Sequence, residues 1–443
     1  MGKLLQIFSG LCETNVGRRN SDMRILKTTQ TYYPYLSKGG PPAKVRAIAK
    51  ALVGRGHEVT VLTADLGQGQ ATGAGGAGGA GGPAGGTDGK IGANGWTSQD
   101  DGVNAIYLRT LQNYRATTIN PQVLSFCARR LRDYDLVHIY GLYDLIGSTA
   151  GWFCRRYSIP YVVEPLGMFG PKVRSQQKKR LYRKLVGNAL FGGAKAIIAT
   201  SETEREELID GGIPAEKIVL RRNGIDLSEF ESLPARGAFR AGLAFDEESP
   251  LIVFLGRLSA IKGLDNLVKA FARLETETHL VIAGPDDHDG CAETVQALID
   301  EFGLGNRVTL AGPLYGKKKL EALVDATFFV LPSRYESFGN AAAESIACGT
   351  PVLVTDRCGI APLIDGSAGL VVPYDVEALH GGMKRMIEDR AFLTQLQSRC
   401  AEIARGLSWD EPVSEMERLY DSLQSPMVSR HSQDSTPGIQ TGY

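Results

Sequence analysis

Two cations and two carboxylates lie in short loops of this sequence, where together they could hold a sugar linked to a diphosphate. Arg257 and Lys262 stand five residues apart, directly after the apolar run 251–255. They can converge on one diphosphate, because arginine supplies a bidentate fork and lysine a point charge. Glu336 and Glu344 follow a later apolar run. Carboxylates accept charge-assisted hydrogen bonds from hydroxyl groups, so these two are predicted to hold sugar and ribose hydroxyls.

The segment around the two glutamates also predicts an anion site at the start of a helix. Residues 332–344 read PSRYESFGNAAAE, and small residues from Gly339 onward begin the predicted helix. The free N–H groups of a helix N-terminus favour phosphate and hydroxyl oxygens. Glu344 returns to the face of Asn340 after about one turn of 3.6 residues. A solvated helix start, with Glu336 complementing the helix dipole, is the alternative, but Glu344 stands among Ala and Ile residues.

A glycine loop near the beginning of the chain could contribute from the opposite side. Gly39 and Gly40 follow the predicted strand 24–29 and precede a predicted helix, so backbone N–H groups there could approach an anion. The spacing does not match GxGxxG, which argues against a dinucleotide-dependent dehydrogenase. A tight turn that uses glycine only for its geometry is the alternative.

Short apolar runs alternate with amphipathic helical patterns along most of the chain. Continuous β-branched runs separated by helices are typical of parallel strands that are buried on both faces. The sequence therefore predicts an α/β protein with two doubly wound, Rossmann-like domains, over 23–230 and 240–406, which face a cleft at the carboxyl ends of their strands. The predicted strands are 24–29, 58–63, 105–108, 136–140, 161–164, 196–200, 251–255, 279–283, 308–311, 328–331, 351–355 and 369–372, and the predicted helices include 43–54, 263–274 and 292–302.

Composition limits the classes of protein to which the chain can belong. The formal net charge is zero and no basic cluster dominates, which argues against nucleic acid as a partner. Seven cysteines without CxxC spacing fit reduced thiols in the cytoplasm better than disulfides or a zinc site. No apolar stretch approaches the roughly 20 residues that cross a bilayer. We expect disorder in a leader over 1–22, a Gly/Ala-rich insertion over 67–95 and a tail over 424–443.

Taken in order, these motifs resemble the retaining glycosyltransferases of family 4, which have the GT-B fold. The resemblance covers about residues 23–423 and rests on the order and spacing of several short motifs. These are Gly39-Gly40, Ala199-Thr200-Ser201 with Glu202, Lys217-Ile218 leading to Asn223-Gly224-Ile225-Asp226, Gly256-Arg257 with Lys262-Gly263, Ala283-Gly284-Pro285, and Glu336 with Glu344 before Gly349-Thr350-Pro351-Val352. Residues 407–409 look like the start of the family's final helix, which would return over 407–423 to the N-terminal domain.

The resemblance implies a nucleotide-sugar donor, linked to UDP, GDP or ADP, in the C-terminal domain. A saccharide or lipid-linked acceptor would bind in the N-terminal domain, in polysaccharide or glycoconjugate synthesis. Arg257 and Lys262 would bind the donor diphosphate, Glu336 the transferred sugar and Glu344 the ribose. The other expected substrate contacts are Gly39, Gly40, His138, Ser333, Phe338, Gly339 and Asn340, with backbone amides acting around 338–340. No metal and no cofactor is expected, because the two cations would neutralise the charge of the leaving diphosphate.

The chain departs from the family pattern in two places. Leu166 stands in a Pro-Leu-Gly sequence where many relatives have Pro-His-Gly, so a hydrophobe occupies the place of a residue expected to touch the transferred sugar. Tyr140 replaces the second histidine of the family's His-x-His-Gly, and leaves His138 as a lone histidine at a strand end. A structural role is the alternative for His138. Glu164 could supply a polar group near Leu166.

Three other charged segments have less specific interpretations. Residues 133–135 match the DxD pattern that holds a metal in other glycosyltransferases, but they precede a strand and are typical of a solvated strand start. Residues 286–289 could hold a cation, although a surface turn is the more common use of such a sequence. Basic residues over 172–184 predict either a basic amphipathic helix that contacts an anionic membrane or a solvated helix.

Two other functions stay open on the sequence alone. A nucleotide-sugar epimerase of the same fold needs acid–base side chains in the cleft, which six histidines in the whole chain do not favour. A homologue that binds a nucleotide-sugar without transferring it is the other alternative, and the Leu166 departure is what supports it.

Overall fold

The computed structural model describes residues 22–35, 40–67, 95–114, 117–169, 187–243 and 249–424, which form two α/β domains. The strands are β1 (Arg24–Thr28), β2 (Glu58–Asp65), β3 (Gly95–Asp100), β4 (Val103–Arg109), β5 (Gln112–Tyr114), β6 (Thr117–Ile119), β7 (Leu136–Tyr140), β8 (Tyr161–Glu164), β9 (Ala196–Ala199), β10 (Ile218–Leu220), β11 (Leu251–Leu255), β12 (His279–Ala283), β13 (Val308–Gly312), β14 (Phe328–Leu331), β15 (Val352–Thr355) and β16 (Gly369–Val372). The α-helices are α1 (Gly40–Gly54), α2 (Gln122–Arg130), α3 (Leu145–Tyr157), α4 (Asn188–Gly193), α5 (Glu202–Asp210), α6 (Leu264–Phe271), α7 (Cys291–Glu301), α8 (Gly316–Asp325), α9 (Asn340–Ala347), α10 (Ala361–Ile364), α11 (Val376–Glu388), α12 (Arg390–Gly406) and α13 (Asp410–Gln424).

The N-terminal domain is built on an eight-stranded sheet with the order β10-β9-β8-β7-β1-β2-β4-β3. Its strands are parallel except for β3, which pairs antiparallel with β4 at the edge. One face of this sheet packs against α2 and α3, and the other against α1 and α13. The strand order reverses at β1, so the loop after β1 opens at a switch point of the sheet, where ligands of such folds bind.

The C-terminal domain repeats this plan with six parallel strands in the order β13-β12-β11-β14-β15-β16. The central strands β11 and β14 are completely apolar and buried. The order reverses at β11, so the loops after β11 and β14 lie next to each other at one edge. Arg257 and Lys262 belong to the first loop, and Glu336 to the second.

All twelve predicted strands are present, with ends within about two residues of the prediction. The sequence did not predict β3, β5, β6 and β10. The helix predicted over 263–274 begins at Leu264 and ends at Phe271. Almost all of the predicted leader and of the Gly/Ala-rich insertion, and the tail beyond Gln424, lie outside the described residues. Among the described residues, no helix has both the length and the apolar character needed to cross a bilayer.

Two chain segments connect the domains and run side by side. The backbone N–H of Ile225 donates to the carbonyl of Leu407 at 2.8 Å. Gly224 is required beside them, because a Cβ there would lie 2.6 Å from the carbonyl oxygen of Ser408. The second segment leads into α13, which packs on the N-terminal domain through Val413, Met416 and Tyr420. The final helix therefore ties the two domains together.

A buried ion cluster lies between the first sheet and α13. Glu164, at the end of β8, is fully buried and forms ion pairs with Lys44 of α1 and with Arg221, which follows β10. Lys27 of β1 is also fully buried, and its Nζ donates to the Tyr140 hydroxyl at 3.0 Å. One carboxylate thus faces three buried cations that come from three different parts of the domain.

The cluster shifts the proton affinities of its members in opposite directions. Burial lowers the pKa of Lys27 to about 7 and that of Lys44 to about 8, although Glu164 opposes the shift in both. Burial alone would raise the pKa of Glu164, but Arg221 and Lys44 hold it well below its usual range. Burial also lowers the pKa of His138 to about 3, so this histidine is neutral at physiological pH.

We predict that Glu164→Gln destabilises the protein by about 3–5 kcal/mol, because the buried cations then have no counter-charge. Urea unfolding followed by circular dichroism measures the loss. Glu388→Gln is the matched control, since its carboxylate is 53% exposed and lies 4.0 Å from Lys384. Removing such a surface pair should cost less than about 1 kcal/mol. Similar losses in the two variants would contradict the prediction.

We also predict that stability rises as the pH increases from about 7 to 10. In that interval folded Lys27 has lost its proton, whereas the unfolded chain keeps it, because the pKa falls from 10.5 to about 7 on folding. Lys44 adds a similar contribution above about pH 8. Lys27→Met should therefore flatten the rise of the unfolding midpoint in urea with pH. An unchanged slope in this variant would show that Lys27 does not titrate in this interval.

Candidate active site

The loop after β11 carries both predicted phosphate-binding cations and is fixed by a close backbone contact. Gly263 has φ +66° and lies so near the loop after β14 that an added Cβ would be 2.2 Å from the carbonyl oxygen of Pro332. In addition, the N–H of Arg334 donates to the carbonyl of Ile261 at 2.9 Å. These contacts join the two loops of the second sheet and place Lys262 beside Glu336.

Lys262 and Glu336 form an ion pair. Both side chains are mostly buried, so the pair is more strongly coupled than one on the open surface. The sequence predicted separate partners for them, a diphosphate for the lysine and a sugar for the glutamate. Their pairing places both groups at the carboxyl edge of the second sheet.

Arg257 is held by a residue that the sequence did not connect with the site. Its Nη1 lies 2.6 Å from the carboxylate of Asp287, and both side chains are partly exposed. The loop that contains Asp287 is tied to the β11 loop, because Leu258 donates to Pro285 at 2.9 Å and Ala260 to Asp289 at 3.0 Å. Residues 286–289 therefore do not form only a surface turn, because Asp287 and Asp289 bind the loop that carries Arg257. Among the described residues, no group of three or more His, Cys, Asp or Glu is arranged to hold a metal ion.

The beginning of α9 lies opposite the glycine loop of the N-terminal domain. Gly339 precedes α9 with φ +115°, a conformation that favours glycine. The Nδ2 of Asn340 lies 3.2 Å from the position of a Cβ on Gly40, and its Oδ1 accepts from Asn223 at 3.4 Å. Asn340 thus contacts the N-terminal domain and the segment that connects the domains. Gly39 lies outside the described residues.

The last glutamate of the motif also has an unpredicted partner. Glu344 lies 3.0 Å from Nζ of Lys319 on α8. Burial would lower the pKa of Lys319, but Glu344 raises it above its ordinary value. The same surroundings raise the pKa of Glu229, chiefly through burial. A run of lysines at the start of α8 was the signal in the sequence, but it did not indicate which carboxylate the run would meet.

Two predicted contacts, His138 and Ser333, do not have side chains on the cleft. His138 is fully buried, and its Nδ1 shares a hydrogen bond of 2.7 Å with the Tyr420 hydroxyl of α13. The prediction of His138 as a substrate contact is corrected here to a structural role, the alternative that a lone histidine favours. Ser333 is fully buried too, and its carbonyl accepts from Thr355 at 2.6 Å.

Phe338 is also buried, and its side chain belongs to the core of the second domain. Its predicted contact was through the backbone, which the buried ring does not exclude. The carbonyl of Phe338 accepts from the N–H of Ile360 at 2.7 Å. This bond fixes the loop just before α9.

The loop after β8 touches the other domain at the position where the chain departs from the family pattern. Leu166 has φ +58°, which is uncommon for a residue with a Cβ. The next residue, Gly167, faces Ser337, and its N–H donates to the carboxylate of Glu204 at 2.5 Å. Glu164 was predicted to supply a polar group here, but its carboxylate lies in the buried ion cluster. The polar side chains beside Gly167, the neighbour of Leu166, are Ser337 and Glu204.

A cavity of about 290 Å³ lies between the beginning of α5 and the loop after β15. Ser201 and Glu202 line it from α5, and Asp356 and Gly359 line it from the loop after β15. Arg222, in the segment that connects the domains, is also part of the wall. None of the predicted site residues is among its lining, but the N–H of the lining residue Gly359 donates to the carbonyl of Glu336 at 2.9 Å, so the cavity borders the segment that carries Glu336.

Two family models match consecutive parts of the chain. The model for glycosyl transferase 4-like domains matches residues 39–224, and the model for glycosyl transferases group 1 matches residues 235–407. The two matches together span most of the chain and are separated only by part of the segment that connects the domains. The chain therefore belongs to the glycosyltransferases of family 4, which have the GT-B fold.

Curated relatives include D-inositol 3-phosphate glycosyltransferases. The protein of Kineococcus radiotolerans is 29% identical over 303 residues, which cover 63% of this chain and 69% of the relative. An uncharacterized glycosyltransferase of Methanocaldococcus jannaschii is 24% identical over 419 residues, 90% of this chain and 98% of the relative.

Solved structures share the fold at low sequence identity. Sucrose-phosphate synthase of Thermosynechococcus elongatus superimposes with a TM-score of 0.68 at 24% identity, over 90% of this chain and 99% of that one. Anabaena HepE in complex with UDP and glucose gives 0.68 at 19% identity, over 90% and 100%. The catalytic domain of starch synthase IV from Arabidopsis thaliana, bound to ADP and acarbose, gives 0.71 at 13%, over 92% and 100%.

We predict that Gly263→Ala destabilises the protein more than Gly303→Ala does. Both glycines have nearly the same φ, +66° and +64°, so each alanine bears the left-handed cost of about 1–2 kcal/mol. An added Cβ meets nothing within 4 Å at Gly303, but it collides with the Pro332 carbonyl at Gly263. Overpacking should add about 1–3 kcal/mol at Gly263. Urea unfolding of the two variants measures the difference, and equal losses would contradict the proposed tight contact between the two loops.

Proposed function

We propose that the protein is a retaining, metal-independent glycosyltransferase that moves a sugar from a nucleoside-diphosphate sugar to a saccharide or lipid-linked acceptor. The observation that carries the proposal is the placement of Lys262 and Glu336 side by side, next to the beginning of α9. A donor diphosphate is bound by cations and by the N–H groups of a helix N-terminus. The hydroxyls of the transferred sugar are bound by a group that accepts hydrogen bonds, such as a carboxylate. Both kinds of group are present within one small region.

The ion pair gives a physical account of how the site would bind the donor. The donor diphosphate offers Lys262 a doubly charged partner, while the sugar hydroxyls offer hydrogen bonds to Glu336. Arg257 would turn one edge of its guanidinium to the diphosphate, with Nη1 still bonded to Asp287. Glu344 would accept from the ribose hydroxyls. Asn340 and Gly40 would close the site from above the donor, with Gly39 beside them.

The chemistry is a substitution at the anomeric carbon of the donor sugar. The bond from this carbon to the diphosphate oxygen breaks, and the acceptor oxygen bonds to the same face of the carbon. The acceptor's proton passes to the departing phosphate oxygen. Negative charge develops on the diphosphate as the bond breaks, and preorganised cations aimed at that charge are usually the largest catalytic contribution. Arg257 and Lys262 would fill this role without a metal ion.

We propose the nucleoside and the acceptor only as chemical classes. The solved structures of similar fold include complexes with UDP, with UDP-glucose and with ADP, which supports a nucleoside diphosphate without selecting the base. Polysaccharide or glycoconjugate synthesis inside the cell is the setting we propose. The six cysteines of the described residues are all buried and unpaired, which supports a reducing compartment. Contact of the basic segment 172–184 with an anionic membrane is a separate proposal, and that segment lies outside the described residues.

We predict that one of UDP-, GDP- or ADP-sugars stabilises the protein against heat and is slowly cleaved to the free nucleoside diphosphate. A ligand at 100 times its dissociation constant stabilises by about 2.7 kcal/mol, which a thermal scan detects readily. Lys262→Met and Glu336→Gln should each reduce cleavage by about 100-fold or more. Lys269→Met is the matched control, because this lysine lies on the outer side of α6 and pairs with Asp265.

The outcomes separate the proposal from its alternatives. Cleavage that gives first the sugar anomer of the donor, in the presence of a chelator, supports retention without a metal. Binding without turnover, with every acceptor tried, would indicate a homologue without transferase activity. Release of an epimerised sugar would indicate an epimerase. No response to any nucleotide-sugar would contradict the proposed donor site itself.

A further inference from the structure

Two neighbouring helices of the N-terminal domain expose large apolar side chains to solvent. Trp152 on α3 is 58% exposed, and Leu124 on α2 is 56% exposed. Leu145 begins α3 and is also exposed, seven residues before Trp152. Residues at this spacing lie on the same face of a helix. Tryptophan and leucine on an outer face have no part in the core and need another explanation.

The exposed residues belong to one continuous surface. Helices α2 and α3 pack side by side on the first sheet, and their inner faces form one core. The guanidinium of Arg132, just after α2, lies 3.7 Å from the centre of the Tyr157 ring at the end of α3. The β5–β6 hairpin borders the same helices and exposes 59% of Leu111. We refer to the outer side of α2 and α3 as the α2–α3 face.

The charged residues of α2 and α3 are all arginines. Asp133, directly after Arg132, is partly exposed and pairs with Arg130 at 2.9 Å. Arg129 and Arg132 are exposed at the end of α2, and Arg155 and Arg156 at the end of α3. The sequence has no Asp or Glu over 110–132 or over 145–160. The chain as a whole carries equal numbers of acidic and basic residues. The excess of positive charge around the apolar residues is therefore a local property of this face.

We propose that the α2–α3 face docks on the surface of an anionic lipid bilayer. Apolar residues enter the boundary between headgroups and acyl chains, while arginines around them bind lipid phosphates. Apolar patches that are rimmed by polar residues mark such interaction sites. A protein partner with the same complementarity would need an apolar centre and an entirely acidic rim, whereas an anionic bilayer supplies both along its whole surface.

One end of the α2–α3 face lies near the opening of the cleft. Leu145 follows the loop after β7, which lies at the carboxyl edge of the first sheet, where the cleft opens. The arginines lie at the opposite ends of the helices. Docking would thus bring the opening of the N-terminal domain near the bilayer, where a lipid-linked acceptor would be held. This part of the inference rests on the proposed function, whereas the docking itself does not.

The test is flotation of the full chain with vesicles of phosphatidylcholine, with and without phosphatidylglycerol, at low salt. We expect binding only to the anionic vesicles. Arg155→Gln with Arg156→Gln should weaken it about 30-fold, since each charge near such a surface contributes about fivefold. Leu124→Ser with Trp152→Ser should weaken it at least tenfold. The controls, Phe302→Ser and Arg399→Gln with Arg405→Gln, remove an exposed apolar residue and two exposed arginines from the other domain and should not weaken binding.

Fluorescence gives an independent reading of the same contact. Trp96 is stacked on Tyr107 and Trp409 is buried, so Trp152 is the tryptophan exposed to solvent. Its emission should shift to the blue on anionic vesicles, and Trp152→Phe should abolish the shift. Absence of binding by the wild type, or binding that both α2–α3 variants retain in full, would overturn the proposal. Nucleotide-sugar stabilisation is measured without vesicles in the same variants, so its failure would count against the proposed function alone.

Discussion

The structure depends on the buried ion pairs of Glu164. This single carboxylate holds Lys44, one turn into the helix that follows the glycine loop, and Arg221, where the chain leaves the first sheet for the second domain. Buried ion pairs contribute little net stability, because desolvation offsets their attraction, but removing one partner is costly. The cluster therefore acts mainly on geometry. It fixes the positions of α1, of the loop after β8 and of the interdomain segment relative to one another.

A short series of contacts connects the buried ion cluster with the cleft between the domains. Arg221 leads to Asn223, whose side chain bonds to Asn340 at the beginning of α9. The loop that follows Glu164 places Gly167 against Ser337, two residues before α9 is capped. The two domains thus meet at the segment that carries the motif glutamates. A change in the distance between the domains would move Asn340 and Ser337 directly, and with them the sugar site that we propose.

The sequence predicted the parts of this structure that depend on local pattern. Buried β-branched runs defined twelve strands, and glycine-flanked loops indicated where ligand groups would stand. Polar and very short edge strands were missed, because β3 (GWTSQD) has no apolar alternation and β10 has only three residues. The pairings of Arg257 with Asp287 and of Glu344 with Lys319 join residues on different loops or helices. They depend on how loops approach in space, which the spacing of single residues does not determine. His138 was misplaced for the same reason, since α13 covers it from 282 residues away.

The central claim is that the ion pair between Lys262 and Glu336 opens when the donor binds, so that each residue contacts the donor instead. A crystal structure with the bound nucleoside diphosphate tests this claim most directly. The measurement is the distance from Lys262 Nζ to the nearest phosphate oxygen and to the Glu336 carboxylate. We expect the phosphate within hydrogen-bond distance of Lys262 and Arg257, and the ion pair between Lys262 and Glu336 opened. A diphosphate bound elsewhere, with that ion pair intact, would contradict the proposed site.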